Sequence, residues 1–404
     1  MARIAFVVTD FPALSETFII NQINAVIAEG YEVDVICLGR VNKDVRHQSV
    51  EKFNLMNRIL KTKQLPENKV VRILSAVGII LQNLGSLRLM LTAFDLKKYR
   101  REAYDLQQFY RLNHGLKLLK RHYQAIHVHF GQNAVYLSNI LKRINNTKVI
   151  VSFHGFDAHD FSAEFYKQLT NTDFHFTANT HYTADRMLKL GFKKDQISIL
   201  PETLDTSKFS KPPSKPNNAV TQMIFVGRLV EWKAPHLVIE IIRSVIAAGY
   251  KVRCVIVGKG QLWDHCQQLI NRYNLENIIN MKGAQTQEQI MQLMSESDIF
   301  LYPGLVGEDG RCENQGLVIQ EAQAMKLPVL VSDVGGMSEG VVNEKNGYLL
   351  QPNDIKSFTE KVIHLINNPE LRKSMGELGR SFVVDKYDSY KVAKRLIEFY
   401  GNET

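Results

Sequence analysis

The chain has 404 residues, of which 45% are hydrophobic and 23% charged, and its formal net charge is +9. This length allows two domains with a core each, and the composition excludes a disordered or fibrous protein. The four cysteines are too scattered for a disulfide framework or a Cys-x-x-Cys metal site. No uninterrupted apolar run reaches the roughly 18 residues of a membrane span, and the N-terminal run is too short for a signal peptide. We therefore expect a cytoplasmic protein.

The N-terminal sequence predicts a β-α-β unit. Arg3–Thr9 and Tyr31–Leu38 are short apolar runs typical of strands, and Ile19–Glu29 between them has a helical pattern that ends at Gly30. This order implies a parallel sheet, which binds ligands at the carboxyl ends of its strands.

The loop after the first predicted strand contains Ser15, Glu16 and Thr17. These side chains form a cluster typical of a helix N-cap, and we favour that role for Ser15. Because the loop lies at the carboxyl end of a strand, the three residues are also candidates for contacts on the acceptor side of a ligand site.

The positive charge is concentrated in one segment. Residues 43–124 contain 17 Lys and Arg against 6 Asp and Glu, a local net of +11, so the rest of the chain is at about −2. Within this segment, Val70–Phe94 is strongly apolar and is followed by the basic run Lys97–Glu102. An apolar helix flanked by cations fits a helix lying on an anionic membrane surface, and it equally fits a core helix beside a solvated basic stretch. No nucleic-acid-binding motif accompanies the charge, so we expect no nucleic acid partner.

Histidines mark two further strand-like runs. The run AIHVHF places His127 and His129 on one face of a strand, and the run KVIVSF is followed directly by His154. A histidine pair suggests a metal site, but no third ligand has a recognisable spacing, so we predict none. At a strand end His154 is well placed for a ligand, whereas Asp157 is more typical of a capping or orienting residue.

A proline-rich segment divides the chain. Residues 208–220 (KFSKPPSKPNNAV) contain three prolines and no apolar periodicity, the composition of a linker. We predict an N-terminal domain at 1–207, a C-terminal domain at 221–385, and a final helical region at 386–404.

The second half begins with another strand-like run, Gln222–Gly227, followed by Arg228 and Lys233 on the next loop. A planar Arg fork and a Lys point charge on such a loop suit a diphosphate. A later Gly-Lys-Gly turn is not a dinucleotide fingerprint, because Trp263 stands where the third glycine is required.

The run ENQGLVIQEA contains the most informative spacing. Gly316 precedes a helical pattern, so the amides of Gly316, Leu317 and Val318 lie at a helix start and can bind a diphosphate. Glu313 and Glu321 flank that start, and each carboxylate can accept hydrogen bonds from a pair of vicinal hydroxyls. A ligand with hydroxyls on both sides of a diphosphate is a nucleotide sugar.

Several of these segments resemble motifs of one family. ENQGLVIQEA resembles the E-x-F-G-x4-E donor motif of retaining GT-B glycosyltransferases of family four, with Gln315 in place of Phe. GRLVEWKA resembles G-R-L-x-x-x-K-G with Ala234 in place of the last Gly, and SFHGFD resembles T-F-H-G-x-D. PETLDTSKF resembles the P-N-G-V-D-x-x-x-F turn that ends the family's N-terminal domain, with Glu202 and Thr203 replacing Asn and Gly. FPALSETFIINQI and HVHFG closely resemble segments of colanic-acid-type exopolysaccharide glycosyltransferases, and the resemblance covers nearly the whole chain.

The resemblance implies an α/β GT-B fold, with two Rossmann-like domains facing across a deep cleft and the final helix crossing back to the first domain. It implies that Arg228 and Lys233 hold the donor diphosphate. It also implies that Glu313 holds the sugar hydroxyls, Glu321 the ribose diol, and His154 the sugar near its anomeric carbon. In the family the HVHFG segment, which contains His129 here, lies at a strand end near the cleft.

The expected reaction is therefore transfer of a hexose, with retention, from a UDP- or GDP-sugar to a hydroxyl of a growing, lipid-linked oligosaccharide. No D-x-D carboxylate pair occurs, and cationic side chains can take the place of a metal, so we expect no cofactor. Two alternatives stay open. One is another GT-B activity, a sugar-nucleotide epimerase or a glycoside phosphorylase. The other is a non-catalytic carbohydrate-binding protein.

Overall fold

The computed structural model describes residues 2–13, 16–42, 48–209 and 220–401. Contacts between residues divide the chain into two compact units. The first comprises Met1–Asn179, Thr183–Pro201 and Val392–Thr404, and the second comprises Thr180–Tyr182 and Glu202–Lys391. Most of the predicted linker at 208–220 lies outside the described residues.

The first unit contains a six-stranded sheet in the order β2-β1-β3-β4-β5-β6, and every pair of neighbours is parallel. Its strands are β1 Arg3–Val8, β2 Glu32–Cys37, β3 Ala125–His129, β4 Lys148–Phe153, β5 His175–Ala178 and β6 Ile197–Ile199. Strands buried on both faces read as continuous apolar runs, which is why the sequence predicted them well.

The second unit repeats this architecture with the order β12-β11-β10-β7-β8-β9, again parallel throughout. Its strands are β7 Thr221–Val226, β8 Val252–Val257, β9 Ile279–Gly283, β10 Ile299–Tyr302, β11 Val329–Ser332 and β12 Gly347–Leu350. Two parallel sheets with helical connections confirm the predicted α/β class and doubly wound fold.

Helices connect the strands in both halves. In the N-terminal half they are α1 Thr17–Ala28, α2 Gln48–Glu51, α3 Lys69–Gln82, α4 Leu87–Leu91, α5 Leu96–Tyr99, α6 Arg101–Tyr104, α7 Gln107–Gly115, α8 Gly131–Leu141, α9 Phe156–Asp160, α10 Ala163–Thr170 and α11 His181–Lys189. In the C-terminal half they are α12 Pro235–Ala247, α13 Trp263–Arg272, α14 Gln287–Ser295, α15 Leu317–Ala324, α16 Ile355–Asn367, α17 Pro369–Lys386 and α18 Ser389–Tyr400.

The last helix, α18, packs on the first sheet. The Tyr400 hydroxyl and His127 Nδ1 form a hydrogen bond of 2.9 Å, and Arg395 donates to the carbonyl of Ile199 at 2.9 Å. Leu204 and Phe209, by contrast, are buried in the core of the second unit. The second unit therefore begins earlier in the chain, at Glu202, than the composition of the linker suggested.

The apolar segment at 70–94 is not the single helix that the sequence predicted. α3 ends at Gln82, and a 3-10 turn at Leu84–Ser86 separates it from α4. Asn83 donates its side-chain amide to the carbonyl of Ile79 at 2.9 Å, which satisfies a carbonyl at the helix end. Because Gly85 follows immediately, a short turn is favoured over continuation of the helix.

Among the described residues, no single helix has both the length and the apolar character of a membrane span. Only Lys69–Gln82 taken together with Leu84–Phe94 has both, and these two segments meet at a 93° bend.

Candidate active site

The second unit places its predicted donor residues where the strand order reverses. β7 and β10 are neighbours in the sheet, although they are far apart in sequence, and ligands of doubly wound sheets bind beyond the carboxyl ends of such a pair. The loop after β7 carries Arg228 and Lys233, and the segment after β10 leads to Glu313. The topology thus explains why residues 80 positions apart in the sequence meet.

Three side chains form a compact cluster at this point. Lys233 Nζ lies 2.6 Å from Glu313 Oε2 and donates a hydrogen bond of 2.8 Å to the hydroxyl of Tyr302. The Tyr302 hydroxyl in turn donates to Glu313 Oε2 at 2.7 Å. Tyr302 ends β10, and its ring stacks against those of Phe225 and Phe300, which restricts the position of the hydroxyl. The sequence did not single out Tyr302, because a tyrosine at the end of a buried strand looks like any core aromatic.

The cluster keeps Glu313 ionised. Burial pushes the pKa of Glu313 upward, but the charge and hydrogen bond of Lys233 and the hydroxyl of Tyr302 outweigh it, so the pKa falls below its usual value. Burial and the neighbouring Glu313 carboxylate raise the pKa of Tyr302, so its hydroxyl stays protonated and continues to donate. A fixed carboxylate of this kind is ready to accept hydrogen bonds from sugar hydroxyls.

Arg228 is exposed on the same loop. Its guanidinium carbon lies 5.8 Å from the ring centre of Trp232, and that of Arg311 lies 5.9 Å from the same ring. Trp232 also accepts a backbone hydrogen bond from Leu305 at 2.8 Å, which ties the loop after β7 to the loop after β10. The sequence did not single out these two neighbours, because Trp232 occupies a variable position of the GRLVEWKA segment and Arg311 lies outside the motifs.

Gly316 begins α15 in the left-handed conformation, with a φ of 66°. A Cβ at this position would lie 3.1 Å from side-chain atoms of both Glu313 and Ile319, so a larger residue would be strained and crowded. The amides of Leu317 and Val318 fall in the first turn of α15, where the helix itself provides no carbonyl partners. The geometry at this helix start is therefore the one that the sequence predicted.

Gly335 and Gly336 pack closely against the backbone of the loop that carries Glu313. A Cβ on Gly335 would lie 2.1 Å from the carbonyl oxygen of Glu313, and one on Gly336 would lie 2.3 Å from that of Asn314. Gly336 also donates its amide to the Glu313 carbonyl at 3.2 Å. Only glycine permits this close approach of two backbones.

Glu321 has a different environment from Glu313. It lies on α15 and is partly buried, and its Oε1 accepts a long hydrogen bond of 3.5 Å from Gln287. Among the residues that the structure describes, no cation is paired with it. Burial therefore raises the pKa of Glu321 to about 7, a shift that the Gln287 hydrogen bond only partly opposes.

Gln315, the residue that replaces the usual Phe of the motif, is buried and has a defined role. Its side-chain oxygen accepts from the amide of Glu202 at 2.7 Å, and its nitrogen donates to the carbonyl of Glu202 at 2.9 Å. Glu202 is itself a position where the sequence departs from the family pattern. The two departures therefore meet in one pair of hydrogen bonds that holds the loop before α15.

The first unit groups its candidate residues at the ends of β3 and β4. His129 ends β3, and His154 directly follows β4. His129 Nδ1 lies 3.1 Å from His154 Nε2, and their rings stack with centres 5.2 Å apart. Burial lowers the pKa of His129 well below its usual value, so this histidine is neutral. Its Nε2 is buried without a hydrogen-bond partner in the described part of the chain, which favours the tautomer that donates from Nδ1 to His154.

Asp157 is fully buried and orients the His154 turn. Its Oδ1 accepts from the amides of His154, Gly155 and Ala158 at 2.9–3.2 Å, and its Oδ2 accepts from the amide of Gly131 at 2.9 Å. Burial raises its pKa, although these amides and His154 pull in the opposite direction.

The histidine pair of β3 is a packed stack. His127 and His129 have ring centres 4.4 Å apart, and His127 is hydrogen-bonded to Tyr400 and, at 2.7 Å, to the hydroxyl of Ser152. Burial lowers the pKa of His127 to about 3. In the described ranges, no group of three or more His, Cys, Asp or Glu residues is arranged to hold a metal ion.

The start of α1 carries two of the three candidates from the first loop. Thr17 is the first residue of α1, and Glu16 takes the N-cap position without a side-chain capping hydrogen bond. Ser15, for which capping was predicted, lies outside the described residues. Phe18 packs against the ring of His154 with centres 4.7 Å apart, so α1 does begin beside the histidine cluster.

The chain belongs to the glycosyltransferases. A model described as "Glycosyltransferase Family 4" matches residues 15–208, and one described as "Glycosyl transferases group 1" matches residues 206–382. Together these two models span almost the whole chain, so it is a transferase with both domains of the family.

The relatives agree with this assignment. The chain is 27% identical over 367 residues to a glycosyltransferase named for colanic acid biosynthesis, WcaL of Escherichia coli (strain K12), with 89% of each chain covered. It is 25% identical to the amylovoran biosynthesis glycosyltransferase AmsK of Erwinia amylovora, with 90% of each covered. The resemblance to this exopolysaccharide group is therefore confirmed.

Solved structures share the fold. A glycosyltransferase from Rickettsia africae superimposes with a TM-score of 0.69 and 17% identity, covering 99% of this chain and 97% of the other. HepE from Anabaena, solved in complex with UDP, has a TM-score of 0.69 and 15% identity, covering 98% and 99%. These matches confirm the GT-B fold.

Proposed function

We propose that this protein is a retaining hexosyltransferase that uses a nucleotide diphosphate sugar. The observation that carries the proposal is the pair of carboxylates around the start of α15. Glu313 is ionised and held by Lys233 and Tyr302, whereas Glu321 is partly buried with no described cation paired with it. A diphosphate at the helix start would have a carboxylate on either side, each suited to a pair of hydroxyls.

The diphosphate is the leaving group, and its stabilisation is the main electrostatic task. As the bond to the anomeric carbon breaks, the diphosphate takes the bonding electrons, and Arg228, Lys233 and the first amides of α15 face the developing charge. Lys233 is already fixed by two partners at 2.6 and 2.8 Å, so little reorganisation is required. These cations supply what a divalent metal would otherwise supply, and we propose that no cofactor is needed.

The other side chains position the sugar. Glu313 accepts hydrogen bonds from its hydroxyls, Glu321 accepts from the ribose diol, and His154 contacts the sugar near the anomeric carbon. The tautomer of His129 favoured above donates to His154 Nε2, which orients the His154 ring toward the sugar in this proposal.

The known proteins support the choice of substrate class. Structures with the same fold were solved with UDP, with UDP-glucose and with UDP and glucose, which favours a UDP-sugar over a GDP-sugar. The names of the relatives favour a role in exopolysaccharide synthesis. We therefore propose that the acceptor is a hydroxyl of a lipid-linked oligosaccharide and that transfer takes place on the inner face of the cytoplasmic membrane.

The donor site is tested by thermal stability against UDP, GDP, ADP and their sugars. A ligand at about 100 times its Kd stabilises the folded protein by about 2.7 kcal/mol. We expect a rise in Tm with one nucleotide family, lost in Arg228→Ala and kept in the matched control Arg243→Ala, whose arginine is exposed on α12 of the same unit. No rise with any nucleotide, in a folded sample, would refute the donor site.

Catalysis is tested with the donor identified in this way. We expect Glu313→Ala to lower transfer by roughly a thousandfold, the product to keep the anomeric configuration of the donor, and EDTA to have no effect. Release of free sugar without an acceptor would indicate an epimerase, and a requirement for inorganic phosphate would indicate a phosphorylase. Biological output that survives Glu313→Ala would indicate a carbohydrate-binding protein.

A further inference from the structure

The exposed apolar side chains of this protein are concentrated in one place. Of the eighteen large hydrophobic residues that are exposed in the described chain, eleven lie between residues 70 and 96. We call this surface the α3–α5 face. It consists of Val70, Val71, Ile73, Leu74, Val77, Leu81, Leu84, Leu87, Leu91, Phe94 and Leu96. Single exposed apolar residues are ordinary, but eleven within 27 consecutive residues of the chain mark this segment as an interaction surface.

The outer side of α3 is apolar along its whole length. Val70, Ile73, Leu74, Val77 and Leu81 follow the spacing of one helix face, and they are 51–68% exposed. A helix on the surface of a soluble protein has charged and polar residues at these positions. This helix therefore has an apolar side that the described chain does not cover.

The inner side of α3 holds the helix firmly on the first unit. Ala76 and Ile79 are buried in its core. Arg72 points inward and donates to the carbonyls of Pro66 and Asp105 at 2.9 Å, and Tyr110 donates to the carbonyl of Arg72 at the same distance. The exposed residues of α3 therefore form a surface whose orientation is fixed by contacts on the buried side of the helix.

α3 alone is too short to cross a bilayer. α3 has 14 residues, about 21 Å at 1.5 Å per residue, whereas the hydrocarbon core of a bilayer is about 30 Å thick. After α3 the chain bends by 93°, so the next segment does not continue along the axis of α3. Such a face is suited to lie along a surface, with its side chains inserted among acyl chains.

The charge around the α3–α5 face identifies the surface that it fits. Lys69, Arg88, Lys97 and Arg100 are exposed and lie within or directly beside the apolar stretch. They belong to the segment at 43–124 with a net charge of +11. An apolar face surrounded by cationic side chains is complementary to an anionic lipid leaflet. The apolar side chains can insert among the acyl chains, and the cationic side chains are attracted to the headgroups.

We infer that the α3–α5 face docks the protein onto anionic lipid bilayers. This inference rests on the proposed function in one respect, since a lipid-linked acceptor requires the enzyme to work at a membrane. It adds the surface that makes the contact and its dependence on lipid charge. A second copy of the chain would also cover an apolar face, but a net charge of +11 in this segment would repel its own copy.

Vesicle co-sedimentation of the full chain tests the inference. We expect binding to vesicles with about 30% phosphatidylglycerol, weak binding to pure phosphatidylcholine, and release from the anionic vesicles at roughly 0.5 M salt. Equal binding to both kinds of vesicle, or no binding to either, would overturn it.

Two variants separate the apolar and cationic contributions. Leu74→Ser with Leu81→Ser should weaken partitioning by tenfold or more, because two leucines leave the acyl region. Lys69→Gln with Arg88→Gln and Lys97→Gln should weaken binding to anionic vesicles by at least tenfold and remove most of its salt dependence. Unchanged partitioning in either variant would overturn the role given to that set of side chains.

The matched control removes the same side chains elsewhere. Leu188→Ser with Leu378→Ser deletes two exposed leucines outside the α3–α5 face, and vesicle binding should be unchanged. Light scattering provides the remaining control: a stable dimer that the Leu74 and Leu81 double variant converts to a monomer would overturn the lipid inference in favour of a second copy.

Nucleotide-induced thermal stabilisation, measured on the same samples, distinguishes the two proposals. A chain that gains stability with a nucleotide but does not bind vesicles would refute this inference and leave the proposed function intact. A chain that binds anionic vesicles through the α3–α5 face but responds to no nucleotide would support the inference and refute the donor site.

Discussion

Replacement of Glu321 by Gln should stabilise the ligand-free protein at alkaline pH and have little effect at acidic pH. Glu321 is a partly buried carboxylate whose described surroundings offer only the long hydrogen bond from Gln287, and burial raises its pKa to about 7 from the ordinary 4.5. At alkaline pH this carboxylate is ionised in both states, so folding buries a charge and is destabilised by it. The amide of Gln occupies the same space without the charge.

The sign follows from proton binding. Between pH 4.5 and 7 the folded chain keeps the Glu321 proton while the unfolded chain has lost it, so the stability of the wild type falls as the pH rises through this window. The full difference between the two pKa values corresponds to about 3 kcal/mol above pH 8. Because solvent reaches part of the side chain, we take about half of this, roughly 1–2 kcal/mol.

Thermal unfolding at two pH values measures the effect. For a unit of this size, about 1–2 kcal/mol corresponds to a Tm higher by roughly 4 °C in Glu321→Gln than in the wild type at pH 8.5, and by about 1 °C or less at pH 5. Glu360→Gln removes the same charge from the exposed side of α16 and should change Tm little at either pH.

The same substitution should act in the opposite direction on the ligand. A carboxylate can accept from both ribose hydroxyls, and hydrogen bonds to a charged group are stronger than those to an amide, so nucleotide binding should weaken by about tenfold. A Tm gain that is equal at pH 5 and pH 8.5, or a loss at pH 8.5, would refute the environment assigned to Glu321. A gain without weaker nucleotide binding would refute its role in binding.

Four further variants at three positions test the two clusters and the loop after β7. Tyr302→Phe removes the hydroxyl that orients Glu313. We expect steady-state kinetics to show a kcat about tenfold lower, and denaturant unfolding to show a stability loss near 1 kcal/mol. An unchanged kcat would contradict the orienting role. Ala234→Gly relieves a left-handed alanine (φ 49°) and should raise stability by about 0.5 kcal/mol, whereas a clear loss would show that the buried methyl group matters more. His129→Asn keeps a donor near His154 and should retain most of kcat/KM, while His129→Ala should lower it about tenfold; equal losses in the two would indicate a purely structural residue.

The sequence predicted the elements whose signal is local. Strands buried on both faces appear as continuous apolar runs, and the requirement for glycine at position 316 followed from the helix start that it precedes, now observed with a φ of 66°. The loops that carry Arg228, Glu313 and His154 could be placed because they follow such strands. Family resemblance then supplied roles that spacing alone could not assign.

What the sequence did not predict depends on contacts between distant segments. The part played by Tyr302 requires β7 and β10 to be neighbours, which only the strand order establishes. The hydrogen bonds between Gln315 and Glu202 join residues 113 positions apart. The break after Gln82 was missed for another reason: apolar periodicity continues through it, and only the Asn83 side chain and the following Gly85 mark the turn.

The two glutamates of one motif differ in their electrostatic surroundings because of their positions in the fold. Glu313 and Glu321 have the same side chain and lie eight residues apart around a single helix start, yet the pKa of the first is lowered and that of the second is raised. The difference arises because Lys233 comes from the loop after β7 and reaches Glu313 but forms no ion pair with Glu321. In the proposed site Glu313 and the departing diphosphate would share the charge of Lys233, so Glu313 would hold the sugar directly beside the leaving group. Glu321 has no ion pair in the described chain and would gain most from the hydroxyls of a ligand, which agrees with the role in nucleotide recognition that we propose for it.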